Sequence, residues 1–208
     1  MSQISQNEPE EVKVKADWLR EFHRSTVGFC VNFGIAHFFG LIGLVLIAQG
    51  RVMTSTLIFA YILAEFASYS ITIGCHRLFS HRTFKATRPL VNFLAVCNFF
   101  AGQQSIWLWS AWHRVHHKCV DTDEDPHNAT RGFFYSHIGW LLTYDHQKFL
   151  KSLDKIDMSD LEKVPIIMFH ERYYMYIHHT CIYILPTVIP WYFFAPPICG
   201  EINLMTHQ

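Results

Sequence analysis

The chain has 208 residues, and its 17 Lys and Arg balance 17 Asp and Glu, so the formal net charge is zero. That excludes a nucleic-acid binder, which needs excess positive charge against phosphate. Half of the residues are hydrophobic and only 16% are charged, against a globular norm of about 25%, so bulk disorder and a wholly soluble fold are both disfavoured.

Residues 1–17 are acidic and polar at their start, unlike a signal peptide, and read as a flexible cytosolic tail. Thr26 to Ala48 then runs for 23 residues without Asp, Glu, Lys or Arg. As a helix it spans roughly 34 Å, enough for a hydrocarbon core of about 30 Å. Met53 to Ile73 is a second span, joined to the first by a very short turn, and its one charge is Glu65. A carboxylate in mid-membrane costs on the order of 3 kcal/mol, so Glu65 is expected to face the bundle, toward His37 or a polar neighbour. Leu90 to Trp112 is also uncharged, yet Asn92, Asn98, Gln103 and Gln104 interrupt it. Tyr173 to Phe194 is a third candidate span, carrying Pro186 and Pro190. If Leu90 to Trp112 lies in the interface without crossing, 16 of the 17 basic residues fall on one side, as the positive-inside rule requires. The fold class expected is therefore all-α: an integral membrane helical bundle with a cytosolic helical cap. The six cysteines are scattered with no C-x-x-C pair and read as buried inert thiols. Asn128 heads a glycosylation sequon that this topology leaves unused in the cytosol.

Five of the 14 histidines fall in two clusters, His76-Arg-Leu-Phe-Ser-His81 and His113-Arg-Val-His116-His117. On a helix His113, His116 and His117 share one face, which is how a helix presents several imidazoles to one metal centre. His76 and His81 lie about 140° apart around a regular helix, so they share a face only if the helix ends between them, near Ser80. Imidazole suits zinc, copper, iron and nickel. The zinc-hydrolase pattern H-E-x-x-H is absent, and the only E-x-x-H, at Glu124 to His127, carries a proline that suits a loop. Five imidazoles exceed the needs of one four-coordinate zinc, and an all-nitrogen site for two irons fits better.

These strings carry a family resemblance. GCHRLFSHRTFKA (Gly74 to Ala86), WHRVHHK (Trp112 to Lys118), DPHN (Asp125 to Asn128), RGFFYSHIGWLL (Arg131 to Leu142) and DMSDLEK (Asp157 to Lys163) occur in that order. The chain resembles membrane acyl-CoA desaturases of the stearoyl-CoA, delta-9 type over Val27 to Trp191. The resemblance implies a desaturase domain over residues 18–194, with 195–208 a divergent tail. It implies a di-iron oxidase of the endoplasmic reticulum membrane, multi-pass, with its N-terminus and histidine boxes in the cytosol. Such an enzyme uses O2 and electrons from cytochrome b5 and its reductase to place a cis double bond in a saturated fatty acyl-CoA. His76, His81, His113, His116 and His117 match the family's iron ligands. Gln103, Trp109 and Trp140 match positions that shape the acyl tunnel, and Ala64 and Ser68 match positions near its closed end. His127 and His137 are expected to support the site without binding metal, and the His178-His179 pair is read as a coincidence.

The chain also departs from the family pattern. The third box, of the form H-x-x-H-H, and the helix before it have no counterpart, so the chain reads as a shortened form. Trp112 stands where an acidic residue usually precedes box two, and Tyr144 and Asp145 replace basic residues after GWLL. The competing readings are a truncated, non-catalytic desaturase-like membrane protein and a histidine-box hydroxylase.

Overall fold

A computed structural model describes residues 18–194, and the expected tails at 1–17 and 195–208 lie outside the described residues. The described chain is helical, without a strand. A short helix α1 (Trp18–His23) turns at Arg24 and Ser25 into α2 (Thr26–Ala48). Ser25 caps α2 by accepting from the Gly28 N–H at 3.1 Å, which satisfies one orphan donor of the first turn. The α1–α2 corner is tight: a Cβ at Gly28 would lie 2.0 Å from the Phe22 carbonyl oxygen.

The helix α3 (Thr54–Tyr69) continues without a break into a π-helical segment, Ser70–Ser80. Together with α2, this is one of two helices among the described residues that are long and apolar enough to cross a membrane. Both present their apolar side chains outward, among them Phe38, Phe39, Leu44, Ile58 and Ile62. Glu65 is half-buried and is engaged by the hydroxyls of Tyr61 and Tyr69, one turn to either side on its own helix. Of the two partners the sequence offers, a polar neighbour is the one found; His37 turns its Nδ1 to the Phe33 carbonyl at 2.8 Å and stacks on the Phe33 ring. A same-helix pair at i±4 is the nearer solution, because those positions share a face.

Leu90 to Trp112 is not one helix. It divides into α4 (Arg88–Asn98) and α5 (Ile106–Lys118). Between them Gly102 and Gln104 take positive φ values of 68° and 71°, which a continuing helix cannot contain. This break keeps the histidines of α5 beside the cap. After α5 come a loop with a short 3-10 turn (Ala129–Arg131), a π turn (Tyr135–Gly139), α6 (Trp140–Leu142), α7 (His146–Leu153) and α8 (Ser159–Glu162).

The third expected span is not among the helices that qualify. It belongs to a longer run, α9 (Pro165–His179), a π segment (Thr180–Ile184) and α10 (Leu185–Phe194). The first half of that run is used by the core: His170, Glu171, Tyr174 and His178 are buried against the cap. Glu171 pairs with Arg24 and accepts from Ser105, tying α9 to the α1–α2 corner and to the start of α5. Among the described cysteines all are free, with Cys75, Cys97 and Cys181 buried. The Asn128 amide is used internally, accepting from Thr130 N at 2.9 Å and donating to Thr122 O at 2.8 Å.

Arg114 holds the cap to box one. Its guanidinium makes two 2.8 Å bonds to Asp160, one of 2.7 Å to the Asp157 carbonyl, and another to the Phe79 carbonyl. Arg82 adds a second contact to Asp160 at 2.9 Å. Burial alone would raise the Asp160 carboxyl, but the hydrogen bonds and charges of Arg114 and Arg82 outweigh it and hold the group at about 2, below its ordinary 3.8.

Two outcomes are expected. Gly28→Ala should destabilise the protein by about 1–3 kcal/mol through overpacking against backbone, read as a lower melting temperature in detergent. Because the Asp160 value is depressed on folding, its stabilisation is complete above the ordinary 3.8 and fades as pH falls through about 2. The stability gap between wild type and Asp160→Asn should therefore close across that window; a gap that stays constant would refute the assignment.

Candidate metal centre and apolar cavity

Box one sits on the last turn of the π segment, and box two on α5, which packs directly on that segment. The helix ends at Ser80, where the sequence places an end, and the winding adds a second effect. The His81 N–H donates to the His76 carbonyl at 3.0 Å, an i to i−5 bond. That wider turn brings residue i+5 back toward residue i, and the two rings lie 4.6 Å apart.

His76, His81, His113 and His117 gather into one cage. Ring centroids lie 4.8 Å apart for His76–His113, 5.0 Å for His81–His113, and 4.5 Å for both His81–His117 and His113–His117. The Nε2 atom of His113 is 3.0 Å from Nε2 of His81 and 3.0 Å from Nε2 of His117. Ligand atoms of His76, His81 and His113 all lie within 4.8 Å of one another. Nitrogens bound at 2.0–2.1 Å to a shared cation stand about 2.9–3.4 Å apart, so the observed spacing fits a metal.

The electrostatics agree. Desolvation first, and then the neighbouring histidines His117, His76, His81 and His116, push His113 down to about 3. His117 is lowered for the same reasons, desolvation leading and His81 next. Neutral imidazoles keep the lone pairs a metal requires.

His116 sits at the edge of the cage. Its ring is 5.3 Å from His117, 6.0 Å from His113 and 5.6 Å from His127. Its Nδ1–H donates to buried Asp125 at 2.8 Å, which leaves Nε2 as the available ligand atom. Asp125 is itself held by the backbone N–H groups of Asp121 and His127, each at 2.9 Å. His127 is lowered to about 4, by burial and then by His116. His137 turns its Nδ1 to the Phe133 carbonyl at 2.9 Å.

A cavity of about 540 Å³ opens beside the cage, within the range of about 300–1,000 Å³ usual for small-molecule sites. Its walls include Phe29, Phe33, Trp109, Trp112, Trp140 and His113. Trp109 stacks on His113 at 5.0 Å and donates its indole N–H to Gln103 at 3.1 Å. Gln103, Trp109 and Trp140 thus lie together on the cavity wall. Ala64 and Ser68 do not: both are exposed on α3, which contributes nothing to the lining. The cavity is enclosed by α2, α5 and α9 instead. The wall also carries His23 and Asn32, which nothing in the sequence distinguishes, and His178, whose pairing with His179 reads as a coincidence; only the packing of α1, α2 and α9 brings them in.

The two departures beside box two meet each other. Trp112 and Tyr144 are buried, at 4% and 7% exposure, and the Trp112 indole N–H donates to the Tyr144 hydroxyl at 3.0 Å. A smaller pocket of about 190 Å³ lies against Tyr144, lined also by Glu124, Arg131, Asp145 and Lys148, and Trp140 lines both spaces.

Residues 52–200 match the family model described as fatty acid desaturase. The chain is 44% identical over 162 residues to the Delta(9)-fatty-acid desaturase fat-6 of Caenorhabditis elegans, covering 77% of this chain and 47% of that protein. It is 46% identical over 165 residues to an acyl-CoA Delta(11) desaturase of Choristoneura rosaceana, covering 79% and 49%. It is 43% identical over 176 residues to stearoyl-CoA desaturase 2 of Rattus norvegicus, covering 85% and 49%. The chain spans about half the length of these curated relatives.

Asp125→Asn should weaken divalent-metal binding by about 10–100-fold, as loss of a carboxylate behind a ligating histidine does. Titration with Co(II), followed by its visible absorption, checks this; unchanged affinity would remove His116 from the ligand set.

Proposed function

The chain belongs to the fatty acid desaturase family, and on that premise we propose that it acts in an acyl-CoA desaturase of the delta-9 type. The reaction places a cis double bond in a saturated fatty acyl-CoA, using O2 and electrons from cytochrome b5 and its reductase. The observation that carries this reading is the convergence of His76, His81, His113 and His117 beside an aromatic cavity, with His113 lining both. In this reading His76, His81, His113, His116 and His117 hold iron as a di-iron centre. Iron, when bound, supplies the redox chemistry that unactivated C–H bonds demand, since an alkyl chain offers no acid or base handle.

The remaining work falls to the chain's own residues. Phe29, Phe33, Trp109 and Trp140 take up the acyl chain and exclude water from it. Gln103 fixes the Trp109 indole, and Trp109 in turn stacks on His113, so the wall that grips the substrate also orients a ligand. Asp125 sets the tautomer of His116. The apolar helices α2 and α3 support a position in a lipid bilayer, and the one-sided distribution of basic residues supports histidine boxes on the cytosolic face of the endoplasmic reticulum membrane.

Two measurements test the reading. Purified protein should carry near-stoichiometric iron, and His113→Ala together with His117→Ala should lose it while the helical circular dichroism is retained. A full-length form containing this segment should restore monounsaturated fatty acids to yeast lacking its own desaturase, and His113→Ala should abolish that. Iron-free wild-type protein, or hydroxylated acyl products in place of alkenes, would defeat the proposal.

A further inference from the structure

Trp112 directly precedes a histidine of the cage, yet it offers no ligand atom to a metal. Its indole N–H can only donate, so at 3.0 Å the Tyr144 hydroxyl oxygen must accept from it. The same hydroxyl shares a hydrogen bond with Nδ1 of His146, 2.8 Å away, and in the Nε2–H tautomer of His146 it is the hydroxyl that donates. The three side chains thus form a hydrogen-bonded chain from Trp112 through Tyr144 to His146. The rings are also in sequence: Trp112 lies 5.6 Å from Tyr144, and Tyr144 5.8 Å from His146. Trp112 faces the apolar cavity, while Tyr144 lies against the smaller pocket with Lys148 and Asp145. The chain thus runs from beside the cage toward the charged surface.

Burial pushes the Tyr144 phenol well above its ordinary value, so it stays protonated at rest. A buried phenol can give up an electron only if its proton leaves with it, and a base at 2.6–3.2 Å is the geometry that permits this. His146 occupies that place.

We propose that Trp112, Tyr144 and His146 form a relay that quenches oxidising equivalents at the histidine cage when no acyl chain is present to be oxidised. The inference rests on the proposed function, which supplies an oxygen-derived one-electron oxidant. That oxidant removes one electron from Trp112. The indole radical cation takes one electron from Tyr144, and the phenolic proton passes to His146 Nδ1, leaving a neutral tyrosyl radical and an imidazolium. A reductant of the thiol or ascorbate class at the smaller pocket returns one electron, and the proton goes back to the phenolate oxygen. The relay serves oxidation only: electrons arriving from a weakly oxidising donor lie far too low in potential to make a phenoxyl radical along the way.

The test needs no metal. The full chain in detergent micelles is exposed to azide radicals by pulse radiolysis, which oxidise tryptophan, and the conversion of indole to phenoxyl radical is followed by absorption. Wild type should show an intramolecular phase, independent of protein concentration. Tyr144→Phe, which removes one hydroxyl and keeps the ring, should slow that phase about tenfold or more. His146→Asn should slow it as well and remove its solvent deuterium effect, whereas Tyr192→Phe, on the exposed end of α10, should not. An unchanged phase in Tyr144→Phe would overturn the relay and leave packing as the role of the pair. Iron content of the same preparations reports on the cage separately, so a failed cage and a failed relay give different results.

Discussion

The site depends on one clamp, the guanidinium of Arg114. It sits between a cage histidine and the core of α5, and it reaches the Phe79 carbonyl on the box-one segment and Asp157 and Asp160 at the edge of the cap. Box one is otherwise the end of a long apolar helix, and box two belongs to a different helix more than thirty residues later. Two such ends meet with imidazole nitrogens 3.0 Å apart only if something fixes their separation. A planar, permanently charged group with several fixed donors suits that task better than apolar packing, which tolerates sliding. Its bidentate grip on Asp160 also explains the DMSD string: Asp157 gives its carbonyl, Met158 and Leu161 enter the core, and Asp160 gives its carboxylate.

The cage and the cavity share walls, so they cannot be varied independently. His113 belongs to both, Trp109 stacks on it, and Trp112 beside it anchors the aromatic cluster of Phe29, Trp140, Tyr144 and Phe149. Packing of this kind desolvates His113, and desolvation is the leading cause of its lowered value. An acidic residue in place of Trp112, the usual pattern in this family, would demand a counterion or water at that spot. Here a donor N–H and a phenol satisfy each other instead, and the polarity of the site is carried outward to Asp145 and Lys148.

Much of this was legible in the amino-acid order. Two apolar stretches near the N-terminus, the first uncharged and the second carrying only Glu65, predict a helical hairpin, because a helix satisfies its backbone groups within one segment. The H-x-x-H-H spacing dictates that one helix face carries box two. The asparagines and glutamines after Leu90 mark a segment that does not run as one long apolar helix. These features depend on periods and lengths within a single element, and such local information resides in the order of residues.

What the order could not supply is whatever depends on two distant segments touching. The π winding that turns His81 back onto His76 is set by packing against α5. His116 leaves the tight cage because Asp125 draws its ring toward the following loop. Ala64 and Ser68 face away because α9, whose His170, Glu171 and Tyr174 are buried in the core, closes the cavity that α3 was expected to close. Trp112 and Tyr144, 32 positions apart, read as two unrelated departures until their hydrogen bond joins them. Periodicity along a helix specifies which side chains share a face; only the tertiary contacts decide what that face meets.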